Sequence, residues 1–253
     1  MNRKRPALFP HGRPEKVRRE FYSVLSHLHR TPLSSAGGYL DLIRKGYAGR
    51  LNKAQCGYLS QARASLRQLR RVIDAFLDLV AFDLDLIPRQ SEATDLAAFL
   101  RQAQDEISAA AAGAGRAVDF RLPQGRLAVR VDPKWLQVLS DELLSNAFRL
   151  APRGSRIEIR LDSNRRAALL TVSDRGPGVP AEQLRRLGEP FFQSRGAAAK
   201  APGGERGGMG LALADRIVRM AGGRLRPRLR PRGGLVMTAE LPLAPAPAFA
   251  RAG

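Results

Sequence analysis

The seam of apolar residues between Leu59 and Val80 constrains this chain more than any other feature. Leu59, Ala62, Leu66, Leu69, Ile73, Phe76 and Val80 follow one another at steps of three and four. That spacing holds one stripe on one side of a helix, as in coiled coils and helical bundles. Gln61, Arg63, Arg67, Arg70, Arg71 and Asp74 fill the other faces. Upstream, Leu33, Ala36, Leu40 and Ile43 repeat the spacing, and "KGYAGRLN" supplies glycines suited to a helix end and a turn. The pattern predicts a helical hairpin over residues 15–47 and 53–86. A lone hairpin buries one stripe per helix, so two copies pair most economically into a four-helix dimer.

"DLDLIPRQSEATD" ends this regularity with a proline and several polar residues. Beyond it helices and strands alternate. "LAAFLRQAQDEISAAAAG" reads as a helix, while "AVDFRLP" and "LAVRV" are short and strand-like. "PKWLQVLSDELLSNAFRL" is amphipathic and opens on a proline, which suits the first turn of a helix. "RIEIRL" and "AALLTVSD" read as paired strands, and "LADRIVRMAGG" as a helix closing on glycine. A last strand pair, "GRLRPRL" and "GLVMTAEL", flanks a "PRGG" turn. This order predicts an α/β sandwich of one sheet and several helices. The division expected is a basic segment over 1–13, the hairpin over 14–87, the α/β domain over 88–243 and a disordered tail over 244–253.

Composition narrows the class. The hydrophobic fraction of 44% supplies a core, so wholesale disorder is excluded. The single cysteine, Cys56, rules out an intrachain disulfide and a cysteine-rich metal site, and suits a reducing compartment. No apolar run reaches the roughly 20 residues of a membrane helix. The N-terminus carries charge without the apolar stretch of a signal peptide, so a cytoplasmic protein is expected. The formal charge of +20 has two readings: an acidic partner, or an arginine-rich composition spread along the chain. The second is favoured, because no helix gathers the charge into a base-reading stripe. "NRKRP" and "RLRPRLRPR" are the densest clusters.

Three clusters carry chemistry. In "DELLSNA", Glu142 and Asn146 stand one helical turn apart, and a carboxamide oxygen there suits a magnesium shell otherwise made of water and phosphate. In "DRGPGVP", Asp174 follows a strand, and Gly176 and Gly178 let the backbone approach a flat ligand. A carboxylate at that place accepts hydrogen bonds from an exocyclic amine such as adenine's. In "GGERGGMGLALADRIV", glycines run into a helix start and offer N–H groups to phosphate. It is neither a Walker loop nor a dinucleotide fingerprint. "EPFFQSRGAAAKAP" ahead of it is long enough for a mobile lid.

In this order the clusters resemble the core of the sensor histidine kinases. "SHLHRTPL" is similar to the family's H box, "ELLSNAFRLAP" to the N box, "DRGPGVP" and "GGMGLAL" to the two glycine boxes, and "EPFF" to the F box. The match spans roughly residues 14 to 243. The resemblance implies a dimerising phosphotransfer hairpin followed by an ATP-binding domain of the gyrase, Hsp90, histidine kinase and MutL class. It makes His27, five residues before Pro32, the phosphoacceptor, and Thr31 the residue that positions water for dephosphorylating a partner regulator. It assigns Mg²⁺ to Asn146, with Glu142 as a second candidate ligand, and adenine to Asp174, Gly176 and Gly178. Arg149, Phe191, Gly208, Gly210 and Leu211 complete the nucleotide site, with Arg195 or Lys200 as further charge partners. The implied chemistry is γ-phosphoryl transfer from ATP to His27 and then to an aspartate of a response regulator receiver domain. The implied partners are a second copy, that regulator and a separate sensor or input protein; no specific nucleic acid and no transmembrane segment are expected.

The departures from the family pattern matter as much. Leu28 stands where the family has an acidic residue, which is thought to hydrogen-bond the imidazole and draw its proton. General-base help of this kind is typically worth about 10²–10⁴-fold. His29 takes the place of a leucine; stepping back four from Leu33 puts it on the seam, whereas His27 lies off it. Glu142 replaces an asparagine, Leu150 an aromatic, and Met209 and Ala212 alter the second glycine box. The expectation is a weak kinase that keeps Thr31-dependent phosphatase activity. The alternative is a degenerate kinase serving as a dimeric phosphotransfer or docking protein.

Overall fold

A computed structural model describes residues 15–87, 92–194, 208–231 and 233–245. The expected basic N-terminal segment and most of the expected tail lie outside them. The chain divides into two compact units, mainly residues up to Ile87 and mainly those from Pro88 onward.

The first unit is the expected hairpin. Helix α1 spans Glu15–Arg44 and α2 spans Lys53–Asp83. The turn contains Gly46 and Gly49, both with positive φ. Asn52 then starts α2 with a capping box: its Oδ1 accepts from the Gln55 amide at 2.9 Å, and Gln55 Oε1 accepts from the Asn52 amide at 2.8 Å. Arg63 on α2 bridges to Asp41 on α1 at 2.7 Å. The seam is only half covered within one chain: Leu59, Leu66, Ile73 and Phe76 are half-buried, and Leu69 stays 48% exposed.

The second unit is a five-stranded sheet with helices on one face. Its strands are β2 (Ala117–Arg121), β4 (Arg156–Ser163), β5 (Ala167–Ser173), β6 (Arg224–Leu229) and β7 (Leu235–Pro242), in the order β2-β4-β5-β7-β6. β2 runs parallel to β4 and every other pairing is antiparallel. Two short strands, β1 (Thr94–Asp95) and β3 (Ala128–Val129), pair separately. Sequence periodicity predicts no strand at β1, because Asp95 also serves as the N-cap of α3 (Leu96–Gly113). Helix α4 covers Pro133–Leu150 and α5 covers Gly210–Met220. Asp132 caps α4 through the Lys134 amide at 2.8 Å, and the first helical position is proline, whose missing N–H costs nothing there.

The alternation expected of a half-buried sheet runs through β4, β5 and β7. Ile157, Ile159 and Leu161 of β4, Leu170 and Val172 of β5, and Leu235, Met237 and Leu241 of β7 are buried. They share one core with Leu100 of α3, Leu136, Leu139 and Leu143 of α4, and Leu213 and Ile217 of α5. Each such side chain contributes roughly 1.5–3 kcal/mol on burial. The opposite face carries polar pairs such as Thr171 and Thr238, 3.1 Å apart, and Arg156 with Asp119 at 2.6 Å.

Candidate functional site

The two histidines of "SHLHRTPL" point to different surroundings. His27 is exposed, and Thr31, one helical turn on, is exposed beside it. Leu28 stands 66% exposed next to His27. His29 faces the other way: its side chain is 12% exposed, and Nε2 lies 3.4 Å from Asp74 Oδ1 on α2. Arg70 reaches the other Asp74 oxygen at 3.7 Å. The seam register foresees the burial of His29, but not its partner, since Asp74 reads as a polar-face residue. His29→Leu restores an apolar seam, so it is expected to raise the thermal midpoint by a few °C, since roughly 1–2 kcal/mol shifts a domain of this size that far. Labelling of His27 by ATP should survive this change; its loss would give His29 a chemical part.

The second site forms where β5 ends. Asp174 follows Ser173 and is buried, 3% exposed. Both backbone amides that reach it, Gly176 at 2.7 Å and Leu235 at 3.3 Å, donate to Oδ1. Oδ2 is thereby left as the acceptor for a ligand amine. Burial pushes the Asp174 carboxyl above its usual range, against the opposing pull of the two amides and of Arg230. Gly176 packs so closely that an added Cβ would stand 2.7 Å from the Leu150 carbonyl oxygen and 2.9 Å from Asp174 Oδ1. Gly178 has φ +68° and faces the Gly234 carbonyl. Gly176→Ala is therefore expected to lower the thermal midpoint by several °C, as overpacking costs about 1–3 kcal/mol, and to weaken nucleotide binding. Gly234, Leu235 and Arg230 belong to this site although sequence reasoning misses them. The glycine opening "GLVMTAEL" is the one signal that hints at it.

Helix α4 carries the third group. Glu142 is buried, and its carboxylate occupies the space where a Cβ at Gly210 would stand, so a side chain there would have to push that carboxylate aside. Asn146, half-buried on the same face, accepts at Oδ1 from Arg149 Nη2 at 3.1 Å. Burial draws the Arg149 guanidinium below its ordinary pKa. Gly208, with φ +75°, and half-buried Leu211 flank this helix start. Among the described residues no three His, Cys, Asp or Glu side chains converge on a metal-sized site. Asn146 and Glu142 offer hard oxygens of the kind that would suit Mg²⁺. Phe191 has φ +62° and is 53% exposed at a groove, while Phe192 lies under Arg186, 4.3 Å from guanidinium to ring. Arg195, Lys200 and most of the expected lid lie outside the described residues.

Comparison with known proteins decides the family. Residues 17–84 match the "His Kinase A (phospho-acceptor) domain", and residues 131–245 match the "Histidine kinase-, DNA gyrase B-, and HSP90-like ATPase". The chain belongs to the histidine kinase family. It is 31% identical over 229 residues to the signal transduction histidine-protein kinase BaeS of Escherichia coli (strain K12), covering 90% of this chain and 48% of that protein. To the histidine protein kinase DivJ of Caulobacter vibrioides it is 28% identical over 233 residues, covering 92% of this chain and 38% of that protein. The kinase core thus spans about half, or less, of the curated relatives it matches. The fold is that of ShkA, whose full-length crystal structure holds AMPPNP: TM-score 0.70 and 23% identity over 90% of this chain and 46% of that one. This is the helical region followed by an ATP-binding α/β sheet that the sequence predicts. Among the described residues, no helix of the kinase core is long and apolar enough to cross a membrane.

Proposed function

We propose that this chain binds Mg-ATP in its α/β unit and transfers the γ-phosphoryl group to a ring nitrogen of His27, then to an aspartate of a response regulator. The observation that carries the reading is the pairing of an exposed His27 on a helical hairpin with a buried Asp174 whose Oδ2 is free for an adenine amine. In the first step the bond between the γ-phosphorus and the ADP oxygen breaks and a nitrogen–phosphorus bond forms. The proton of the attacking imidazole must leave. Bound Mg²⁺ supplies charge neutralisation on the phosphates. Asn146 and Glu142 would hold that ion, which requires Asn146 Oδ1 to leave Arg149 and frees the guanidinium for phosphate. Gly176 and Gly178 would admit the adenine ring, with Gly208, Gly210 and Leu211 at the phosphates and Phe191 at the margin of the site.

The half-covered seam, with Leu69 exposed, supports a four-helix dimer. Leu28 leaves the His27 proton without a neighbouring base, so the forward reaction is slow, while exposed Thr31 keeps a phosphatase role toward the regulator. A separate input protein and a cytoplasmic setting complete the proposal, the latter in keeping with an exposed free Cys56. The division into 1–13, 14–87, 88–243 and 244–253 remains the proposed domain scheme. Incubation with γ-labelled ATP should give acid-labile, alkali-stable label that disappears in His27→Gln. Absence of label together with absence of Mg-ATP binding would favour the second reading, a docking protein, to which the Asn146–Arg149 bond and Leu28 lend support.

A further inference from the structure

The outer strand of the sheet gathers positive charge on its exposed face. In β6, Arg224, Arg226 and Arg228 are all exposed, while Leu225 and Pro227 turn the other way. Alternate residues of a strand project on one face about 6.8 Å apart, so the three guanidinium groups form a ladder. Arg226 is matched by Glu240 of β7 at 2.5 Å. Arg224 and Arg228, on either side, have no carboxylate partner among the described residues. β6 is the outer strand of the sheet, bonded to β7 alone.

We propose that this ladder is a docking surface for an acidic segment of a partner protein in extended conformation, with carboxylates at alternate positions. Such a segment repeats its carboxylates at the same spacing as the arginines. A guanidinium fork can hold a carboxylate with two parallel hydrogen bonds, and the face already pairs arginine with carboxylate through Arg226 Nε and Glu240 Oε1. The segment lies over the side chains and does not extend the sheet. Arg230 donates to the Gly234 carbonyl at 3.1 Å, and by register the backbone of residues 224, 226 and 228 also turns to β7. The open edge therefore falls to Leu225, Pro227 and Leu229, and proline has no N–H to give an added strand. A nucleic acid suits the surface less. The exposed face next to the ladder offers Val236, Thr238, Leu169 and Thr171, none an aromatic on which a base could stack.

The inference is independent of the kinase reading. Its test is fluorescence anisotropy on the full chain with a labelled nonapeptide bearing glutamate at alternate positions. The controls are a peptide with the same glutamates in one block and an oligothymidylate of equal charge. The alternating peptide should bind best, with affinity falling as salt rises. Arg224→Ser/Arg228→Ser should weaken it about tenfold, and Arg224→Lys/Arg228→Lys should fall between, because charge stays and the fork is lost. Unchanged Mg-ATP binding in both variants reports that the sheet is intact. Equal binding of the two peptides, or no effect of the serine substitutions, would overturn the proposal. Tighter binding of the oligonucleotide through the same arginines would overturn it in favour of nucleic acid.

Discussion

Asp174→Asn should cut Mg-ATP affinity by roughly ten- to a hundredfold and leave the fold in place. A hydrogen bond to a charged group contributes about 1.5–3 kcal/mol, which converts to that range. The substitution is isosteric, so the asparagine Oδ1 still accepts from the Gly176 and Leu235 amides. What changes is the atom left for the ligand: an N–H donor replaces Oδ2 and opposes the donor of the adenine amine. Calorimetric titration reads the loss. An unchanged affinity would remove Asp174 from the adenine site.

The same carboxylate predicts a pH dependence with two opposite signs. Burial raises the Asp174 pKa above its unfolded value, so the folded chain holds that proton more tightly than the unfolded one. Its effect on stability is favourable below the ordinary aspartate range and is lost as pH rises through the folded value. ATP binding runs the other way, because protonation removes the acceptor. Nucleotide affinity should therefore fall on acidification at a pH above the ordinary aspartate value, before the fold is lost. Titrations between about pH 4 and 7 with the wild type and Asp174→Asn separate the two effects, and the wild type should show the larger fall, since protonation of the ATP phosphate affects both.

Much of this was legible in the residues because the signals are local. The step of three and four that marks α2, the proline that opens α4 and the glycines that end α5 each act within one turn of chain. The same holds for the strand pair β4 and β5, joined by three residues. What stayed hidden depends on distant segments. The parallel pairing of β2 with β4 joins residues 39 apart, such as Ala117 and Arg156, and no local pattern specifies it. His29 has its partner 45 residues away on the other helix, where Asp74 reads as solvent-facing. The group at the end of β5 behaves alike: Asp174, Gly176 and Gly178 announce themselves in one motif, whereas the Leu235 amide arrives through strand register. Glu142 is visible beside Asn146 and as a departure from the family pattern, but its closeness to Gly210 is not. The arginines of β6 stand out in the sequence as a dense cluster, but only the strand puts Arg224, Arg226 and Arg228 on one face.

Leu28→Glu is expected to raise the rate of His27 labelling by about 10²–10⁴-fold, the usual worth of general-base help. Leu28 stands exposed directly after His27, so a carboxylate there is solvated and costs the hairpin little. An ionised carboxylate that hydrogen-bonds the imidazole would fix the tautomer and draw the proton as the nitrogen attacks. Thr31 lies on the same exposed side and is left untouched, so regulator dephosphorylation should change little.

The measurement that bears most directly on the account is the initial rate of acid-labile label from γ-labelled ATP on the wild type, Leu28→Glu and Leu28→Glu/His27→Gln. The account predicts faint label in the wild type, a large increase in Leu28→Glu and none in the double variant. Strong wild-type label that Leu28→Glu leaves unchanged, or label that persists without His27, would contradict it.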